Sequence, residues 1–140
     1  MRVLGLDLGS KTLGMAISDY LGIIANPIGT FRFTDNNLDE ALLEVERVVK
    51  EYAVEEIVLG LPKHMNGDIG IQANYCLDFK KMIEDKLALK VTMIDERLTS
   101  RIAERVMIKA DISRKKQKKN VDKLAATIIL QSYLDFHSKK

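Results

Sequence analysis

Three acidic positions, far apart in the chain, stand where a carboxylate needs a physical reason. Asp7 lies inside an apolar run, between Leu6 and Leu8. A carboxylate in a buried strand is costly unless it is paired or binds a cation. Asp95 and Glu96 close a second apolar run, Val91 to Ile94, and Arg97 follows them. Asp122 falls in the first turn of the predicted last helix. Brought together, these acids would repel one another unless protons or metal ions were present. Hard oxygen ligands with spare water positions suit Mg²⁺ or Mn²⁺. Two such ions ~3.5–4 Å apart can activate a water and stabilise the leaving oxygen in phosphodiester hydrolysis. Taken singly, each site has a plainer reading. Asp122 is also a first-turn acid of the kind the helix dipole favours, and Asp95-Glu96 reads as a solvated strand end. Asp19 ends a strand too and reads as a turn-forming residue.

Two further segments offer positive charge to a phosphate. The turn Asp7-Leu8-Gly9-Ser10-Lys11-Thr12-Leu13-Gly14 combines glycines, which permit close backbone approach, with the point charge of Lys11. It lacks the G-x-x-x-x-G-K-[ST] spacing of a P-loop. The second segment runs from Lys109 to Lys119 and holds Lys109, Arg114, Lys115, Lys116, Lys118 and Lys119 against the single acid Asp111. Such a run is commonly a solvated loop. Just ahead of Asp122, it can also hold a nucleic-acid backbone by salt-sensitive, sequence-independent contacts. No aromatic residues interleave with it, which excludes base stacking there. His64 and His137 lack metal-ligand spacing and read as surface residues, with His64 a candidate substrate contact. No serine has a histidine partner for a nucleophilic triad.

The whole-chain charge conceals this arrangement. With 22 basic and 20 acidic residues the formal charge is +2, which excludes a uniformly basic nucleic-acid coat. Residues 109–119 alone sum to +5, so the other 129 residues sum to −3. The single cysteine, Cys76, excludes an internal disulfide and a Cys-rich zinc site, and fits a small buried hydrophobe in a reducing cytosol. No stretch approaches the ~18 apolar residues of a membrane span, and the first residues do not form a signal peptide. A cytoplasmic location without membrane attachment is expected.

The elements that must position these residues follow from hydrophobic period. Arg2 to Asp7 forms a short strand, and Gly9 and Gly14 flank a turn. A second strand ends near Ser18-Asp19, Gly22 marks another turn, and residues 23–33 form a third strand. Pro27 suggests an edge or a bulge there. Short turns imply an antiparallel meander. Leu38, Ala41, Leu42, Val45, Val48, Val49 and Tyr52 then recur on one helical face, with Asn37 as N-cap and Glu40 at the capping-box position. Ile57 to Leu61 reads as a strand covered on both faces, ended by Pro62. Residues 63–70 form a loop with Asn66-Gly67, and Tyr75, Cys76, Phe79, Met82, Ile83 and Leu87 mark a second helix. Val91 to Ile94 is the fifth strand, Thr99 or Ser100 caps a helix to about Ala110, and Val121 to Phe136 forms the last helix. The expected fold is α/β, one domain over residues 1–140. It is a mixed five-stranded sheet of an antiparallel meander plus two parallel strands, flanked by helices. In open α/β sheets ligands collect outside the carboxyl ends of strands, where Asp7 and Asp95-Glu96 fall.

Together these segments resemble the YqgF family of ribonuclease H-like nucleases, also described as Holliday junction resolvases. The resemblance covers nearly all of the chain. It rests on LGLDLGSKTLGMAISD (residues 4–19), IVLGLPKHMNG (57–67), IDERLTS (94–100) and VDKLAATIILQSYL (121–134). It implies a ribonuclease H-like fold with a Mg²⁺ or Mn²⁺ centre on Asp7, Glu96 and Asp122. Asp95 adjoins Glu96, and successive strand side chains face opposite ways, so one of the pair points at the metals and the other away. Junction resolvases of the wider superfamily carry an acid at the end of strand four, where this chain reads Leu61-Pro62. The implied substrate is the 5′ end of precursor 16S rRNA, cut late in ribosome assembly, with association with a ribosomal subunit as a consequence. Lys11 and the Arg114–Lys119 segment would position phosphates. Arg97 is either a partner for a carboxylate or a phosphate contact. The protein would act as a monomer or homodimer. The rivals are cleavage of branched DNA, a catalytically silent RNA-binding factor, and a nucleotide-binding unit of the sugar-kinase and actin type. That last class duplicates its domain around ATP, and 140 residues leave no room for a second half.

Overall fold

The computed structural model describes residues 2–61, 71–95 and 125–135. Five strands are β1 (Val3–Leu8), β2 (Thr12–Ser18), β3 (Ala25–Arg32), β4 (Glu56–Leu61) and β5 (Val91–Asp95). The helices are α1 (Leu38–Tyr52), α2 (Ile71–Leu87) and α3, within which residues 125–135 are described. The sheet order is β3-β2-β1-β4-β5. β1 pairs antiparallel with β2 and parallel with β4, and β4 pairs parallel with β5. The expected meander plus two parallel strands is what forms, with β1 in the centre.

Strand alternation divides the core in two. Leu4, Leu6 and Leu8 of β1, with Ile57 and Leu59 of β4, pack on Ala41, Leu42, Val45 and Val48 of α1 and on Cys76, Phe79 and Ile83 of α2. Val3, Ala16, Ala25 and Val58 pack on Ala126, Ile129, Leu130, Tyr133 and Leu134 of α3 on the opposite face. β4 is therefore covered on both sides, as its unbroken apolar run requires. Cys76 is buried within the first core and forms no disulfide.

Local signals act where the sequence places them. Asn37 caps α1, its side chain accepting from the Glu40 N–H at 3.3 Å. Glu40 does not complete the box on the Asn37 backbone; it accepts from the Asn37 side-chain amide and the Thr34 N–H instead. The Asn37 N–H donates to the Thr34 carbonyl, which leaves Glu40 free to reach further back. β3 spans 25–32 rather than 23–33, because the backbone at 23 and 24 is taken up by the Asp19 turn. Pro27 lies on an edge strand and at a register shift opposite Met15 and Ala16, so both readings of it hold. Gly14 does not flank the first turn; it lies within β2, paired with Asp7. The loop at 63–70, the helix expected from Thr99 or Ser100, the basic segment and both ends of the last helix lie outside the described residues. Among the described residues no helix is long and apolar enough to cross a membrane.

α3 meets the sheet most closely at Gly5. A β-carbon there would stand 2.7 Å from Leu130 Cβ and 3.0 Å from the Ala126 carbonyl oxygen. Neither atom is the yielding end of a side chain, so a methyl group would push the helix off the strand. Gly5→Ala is expected to cost about 1–3 kcal/mol of unfolding free energy, read as a lowered urea midpoint at constant slope.

Candidate metal centre

Asp7 is the penultimate residue of the central strand and is half-buried. It shares the α3-facing side with Val3 and Gly5, while Leu6 and Leu8 point into the other core. Its partner on β2 is Gly14. On β4, Leu59 pairs with Leu6, so Gly60 stands level with Asp7. Adjacent strands lie ~4.8 Å apart and level positions share a face, so a β-carbon at 14 or 60 would stand beside the carboxylate. The described residues thus give an oxygen donor flanked on both strands by residues without side chains. This suits a hard divalent cation, which keeps several of its waters and binds through few carboxylates. Gly14 and Gly60 carry no chemistry as residue types. The signal for them is a glycine inside an otherwise buried strand, which often marks close approach of a ligand.

Lys11 is exposed at the tip of the β1–β2 hairpin, beyond the same end of the sheet. Four contacts hold the backbone of this hairpin tip. The Gly9 N–H donates to the Thr12 carbonyl (2.7 Å), the Asn36 N–H to the Ser10 carbonyl (2.7 Å) and the Phe33 N–H to the Lys11 carbonyl (2.9 Å). Tyr75 of α2 adds a long contact from its hydroxyl to the Gly9 carbonyl, at 3.4 Å. The turn is thus built as a fixed mount for a mobile ammonium group.

Asp19 lies at the opposite end of the sheet. Its carboxylate accepts from the Ile23 and Ile24 N–H groups at 2.7 and 3.2 Å, and these bonds hold its pKa below the usual value. It is the turn residue its position suggested. Asp95 ends β5, paired with Leu61. Glu96, Arg97, Lys109, Arg114, Lys115, Lys116, Lys118, Lys119, Asp122, His64 and His137 lie outside the described residues.

A second polar group on the α3 face escapes sequence reading. Glu56, at the amino end of β4, is buried. Its Oε1 accepts from the Tyr133 hydroxyl and from Thr92 Oγ1, the latter at 3.4 Å. Two residues away on α3, Gln131 accepts from the Ala25 N–H (2.8 Å) and donates to the Ile23 carbonyl (2.9 Å). The only sequence hint is a glutamine and a tyrosine within an apolar helix.

A central parallel strand ending in an acid, an antiparallel meander on one side of it and helices on both faces define the ribonuclease H-like class. Among solved structures, Thermus thermophilus RuvC bound to a Holliday junction has the same fold, with TM-score 0.61 at 13% identity over 99% of this chain and 96% of that one. Fowlpox virus resolvase in complex with Holliday junction DNA gives TM-score 0.61 at 17% identity over 98% and 99%. The chain belongs to the RuvX family, described as Holliday junction resolvase, whose profile matches residues 1–136. Relatives named "Putative pre-16S rRNA nuclease" include one from Clostridium beijerinckii, 50% identical over the full length of both chains. Another, from Geobacillus sp. strain WCH70, is 49% identical over 96% of this chain and 98% of its own.

Burial, then the hydrogen bond to Glu56 and its charge, push the Tyr133 phenol up to about 12 from its ordinary 10.0. The folded pKa is raised, so the stabilisation is complete below pH 10 and is lost as pH rises through about 12. Wild-type stability is expected to fall across that window, and Tyr133→Phe to flatten this alkaline slope, measured by urea unfolding at successive pH values.

Proposed function

We propose that the protein is a single-domain, divalent-metal-dependent nuclease over residues 1–140. It hydrolyses phosphodiester bonds, with precursor 16S rRNA as its cytoplasmic substrate and its 5′ end as the site matured. The observation that carries this reading is the Asp7 carboxylate between Gly14 and Gly60, on the face that α3 covers. The other two ligands of this reading are Glu96 and Asp122, which lie in the segments IDERLTS and VDKLAATIILQSYL. Ile94 packs on the α3-side core and Met93 on the other, and Glu96 follows the end of β5 in the sequence. α3 crosses Gly5 at Ala126 and Leu130 and reaches the amino end of β4 at Tyr133, so it runs opposite to β1. Asp122 stands four residues before Ala126 in the sequence. Two residues after Gly5 is Asp7, ~6.6 Å up the strand.

Asp7, Glu96 and Asp122 would hold Mg²⁺ or Mn²⁺, which would polarise an attacking water and offset charge on the leaving oxygen. Lys11 binds a phosphate oxygen from its fixed turn. The segment from Arg114 to Lys119 holds the backbone of the nucleic acid beside the centre. Arg97 either steadies a carboxylate or meets a phosphate. A second reading, cleavage of four-way DNA junctions, is favoured by the family description and by the junction-bound structures that share the fold. Incubation with Mn²⁺ and both substrates, with mapping of product ends, separates them: defined 5′ trimming of precursor rRNA supports the first, and symmetric junction nicking replaces it with the second.

Asp7→Asn is expected to abolish cleavage while the melting temperature stays the same or rises, since a costly carboxylate is removed. Full activity in this variant would overturn the metal centre. Replacing Arg114, Lys115, Lys116, Lys118 and Lys119 by glutamine is expected to weaken RNA binding. It should also reduce the salt slope by up to roughly 3.5, if all five meet phosphates on a single strand. An unchanged slope in filter-binding titrations would mark the segment as a plain connector.

A further inference from the structure

β3 changes sides part-way along its length. Ala25, at its start, packs in the α3-side core, and Pro27, opposite Ala16, shares that side. Strict alternation would continue with Gly29 and Phe31 there and would turn Arg32 toward α1 and α2. A bulge intervenes. Met15 pairs with Gly29 and Ala16 with Pro27, so Ile28 is the extra residue. Gly29 takes a φ of 150°, a backbone that side chains rarely adopt. A β-carbon there would meet nothing within 4 Å, so the demand for glycine is conformational and not a matter of space. Beyond the bulge the sides are exchanged. Phe31, opposite Leu13, packs against the α1–α2 core. Thr30 and Arg32, opposite Gly14 and Thr12, take the side of Asp7.

The exchange puts a cation on Asp7's face of the sheet. Thr30 is level with Asp7 through Gly14, two strands away, and Arg32 stands two residues further toward the carboxyl end of β1. With ~4.8 Å between strands and ~3.3 Å per residue, the Arg32 backbone lies ~12 Å from that of Asp7. Thr30 and Arg32 are exposed, and Gly14 puts no side chain in the path between them and Asp7. Among the described residues neither Arg32 nor Lys11 takes part in an ion pair. The Phe33 N–H donates to the Lys11 carbonyl, so both cations belong to one end of the meander. We propose that Arg32 binds a phosphate of the nucleic-acid strand being cut. With the reacting phosphate at Asp7, the strand runs out over Gly14 and Thr30 and brings a neighbouring phosphate to the guanidinium. This rests on the nuclease reading given above. The planar fork of arginine matches two phosphate oxygens, and such a contact positions the strand without reading its sequence. A bulge, a proline and a charge on an edge strand also deter pairing with other strands. That role is indifferent to which face the arginine takes.

The test uses the full chain. The probe is a single-stranded RNA spanning the 5′ end of precursor 16S rRNA or, where wild type cuts only that, a four-way DNA junction. Ca²⁺, a larger ion of looser geometry, replaces Mn²⁺ so that the probe is held and not cut. Filter-binding titrations are run over a range of salt. Arg32→Gln is expected to bind about fivefold more weakly at 0.1 M salt and to reduce the salt slope by ~0.7 on the single strand or ~0.9 on the duplex, the share of one phosphate. Arg32→Lys keeps the charge and is expected to keep the slope. Arg47→Gln removes the same charge from α1, on the opposite face of the sheet, and is expected to leave binding unchanged. A probe series with one linkage at a time made a neutral methylphosphonate locates the contact. One substitution beside the cut linkage should weaken wild type and leave Arg32→Gln unaffected. Unchanged affinity and slope in Arg32→Gln, or an equal loss in Arg47→Gln, overturns the proposal and leaves Arg32 an edge-strand charge. A loss that maps to a linkage remote from the cut overturns it as well. Cleavage of the same probes with Mn²⁺ separates the two levels. If wild type cuts and Arg32→Gln binds as wild type does, the nuclease reading stands and only this contact falls. If wild type cuts neither probe, the nuclease reading fails and takes the contact with it.

Discussion

The approach of α3 to the backbone of β1 is the contact on which the rest of the carboxyl end depends. A helix and a sheet ordinarily meet through side chains, which hold their axes well apart. At Gly5 the spacing is instead set by a missing side chain, so Leu130 and the Ala126 carbonyl come down on the strand itself. That closeness seats the described part of α3 on the face of β1 that also carries Asp7, two residues beyond Gly5. With a larger residue at position 5, the same helix would pack further out from the strand.

The pleat does the sorting that this contact requires. Odd-numbered residues of β1 face α3 and even-numbered ones face α1 and α2, which gives Asp7 a partner helix different from that of Leu6 and Leu8. On the neighbouring strands the same rule places Gly14 and Gly60 beside Asp7. Asp7 thus stands among glycines rather than leucines, and no side chain at the level positions of either neighbouring strand crowds its carboxylate. Charge follows the same separation. The 129 residues outside 109–119 sum to −3, with Asp7 and Asp95 near strand ends, while the excess of positive charge is concentrated in residues 109–119.

Much of this was legible in the sequence because it is local. The strand and helix periods, the Asn37 cap, the edge character of the Pro27 strand and the turn role of Asp19 each depend on a few neighbouring residues. Asp7 was conspicuous for the same reason, being a charge with apolar neighbours on both sides. Gly14 was misplaced to the turn because glycine signals a turn more often than a strand, and only pairing with Asp7 shows what it does. The capping interaction of Glu40 differed because Thr34, four residues upstream of the helix, competes for its carboxylate.

What the sequence determined by itself is therefore the set of elements, their order, the polarity of each face and the acids at the strand ends. Tertiary structure alone decided which faces meet. Pairing Glu56 with Tyr133 across 77 positions, or Ala25 with Gln131 across 106, leaves no periodic trace, because a hydrogen bond between distant residues constrains only those residues. The physical reason is a difference of range. Backbone sterics and hydrophobic period act over a few residues and are written in consecutive letters, whereas the seating of α3 depends on complementary shape and polar contacts that exist only once the sheet has formed.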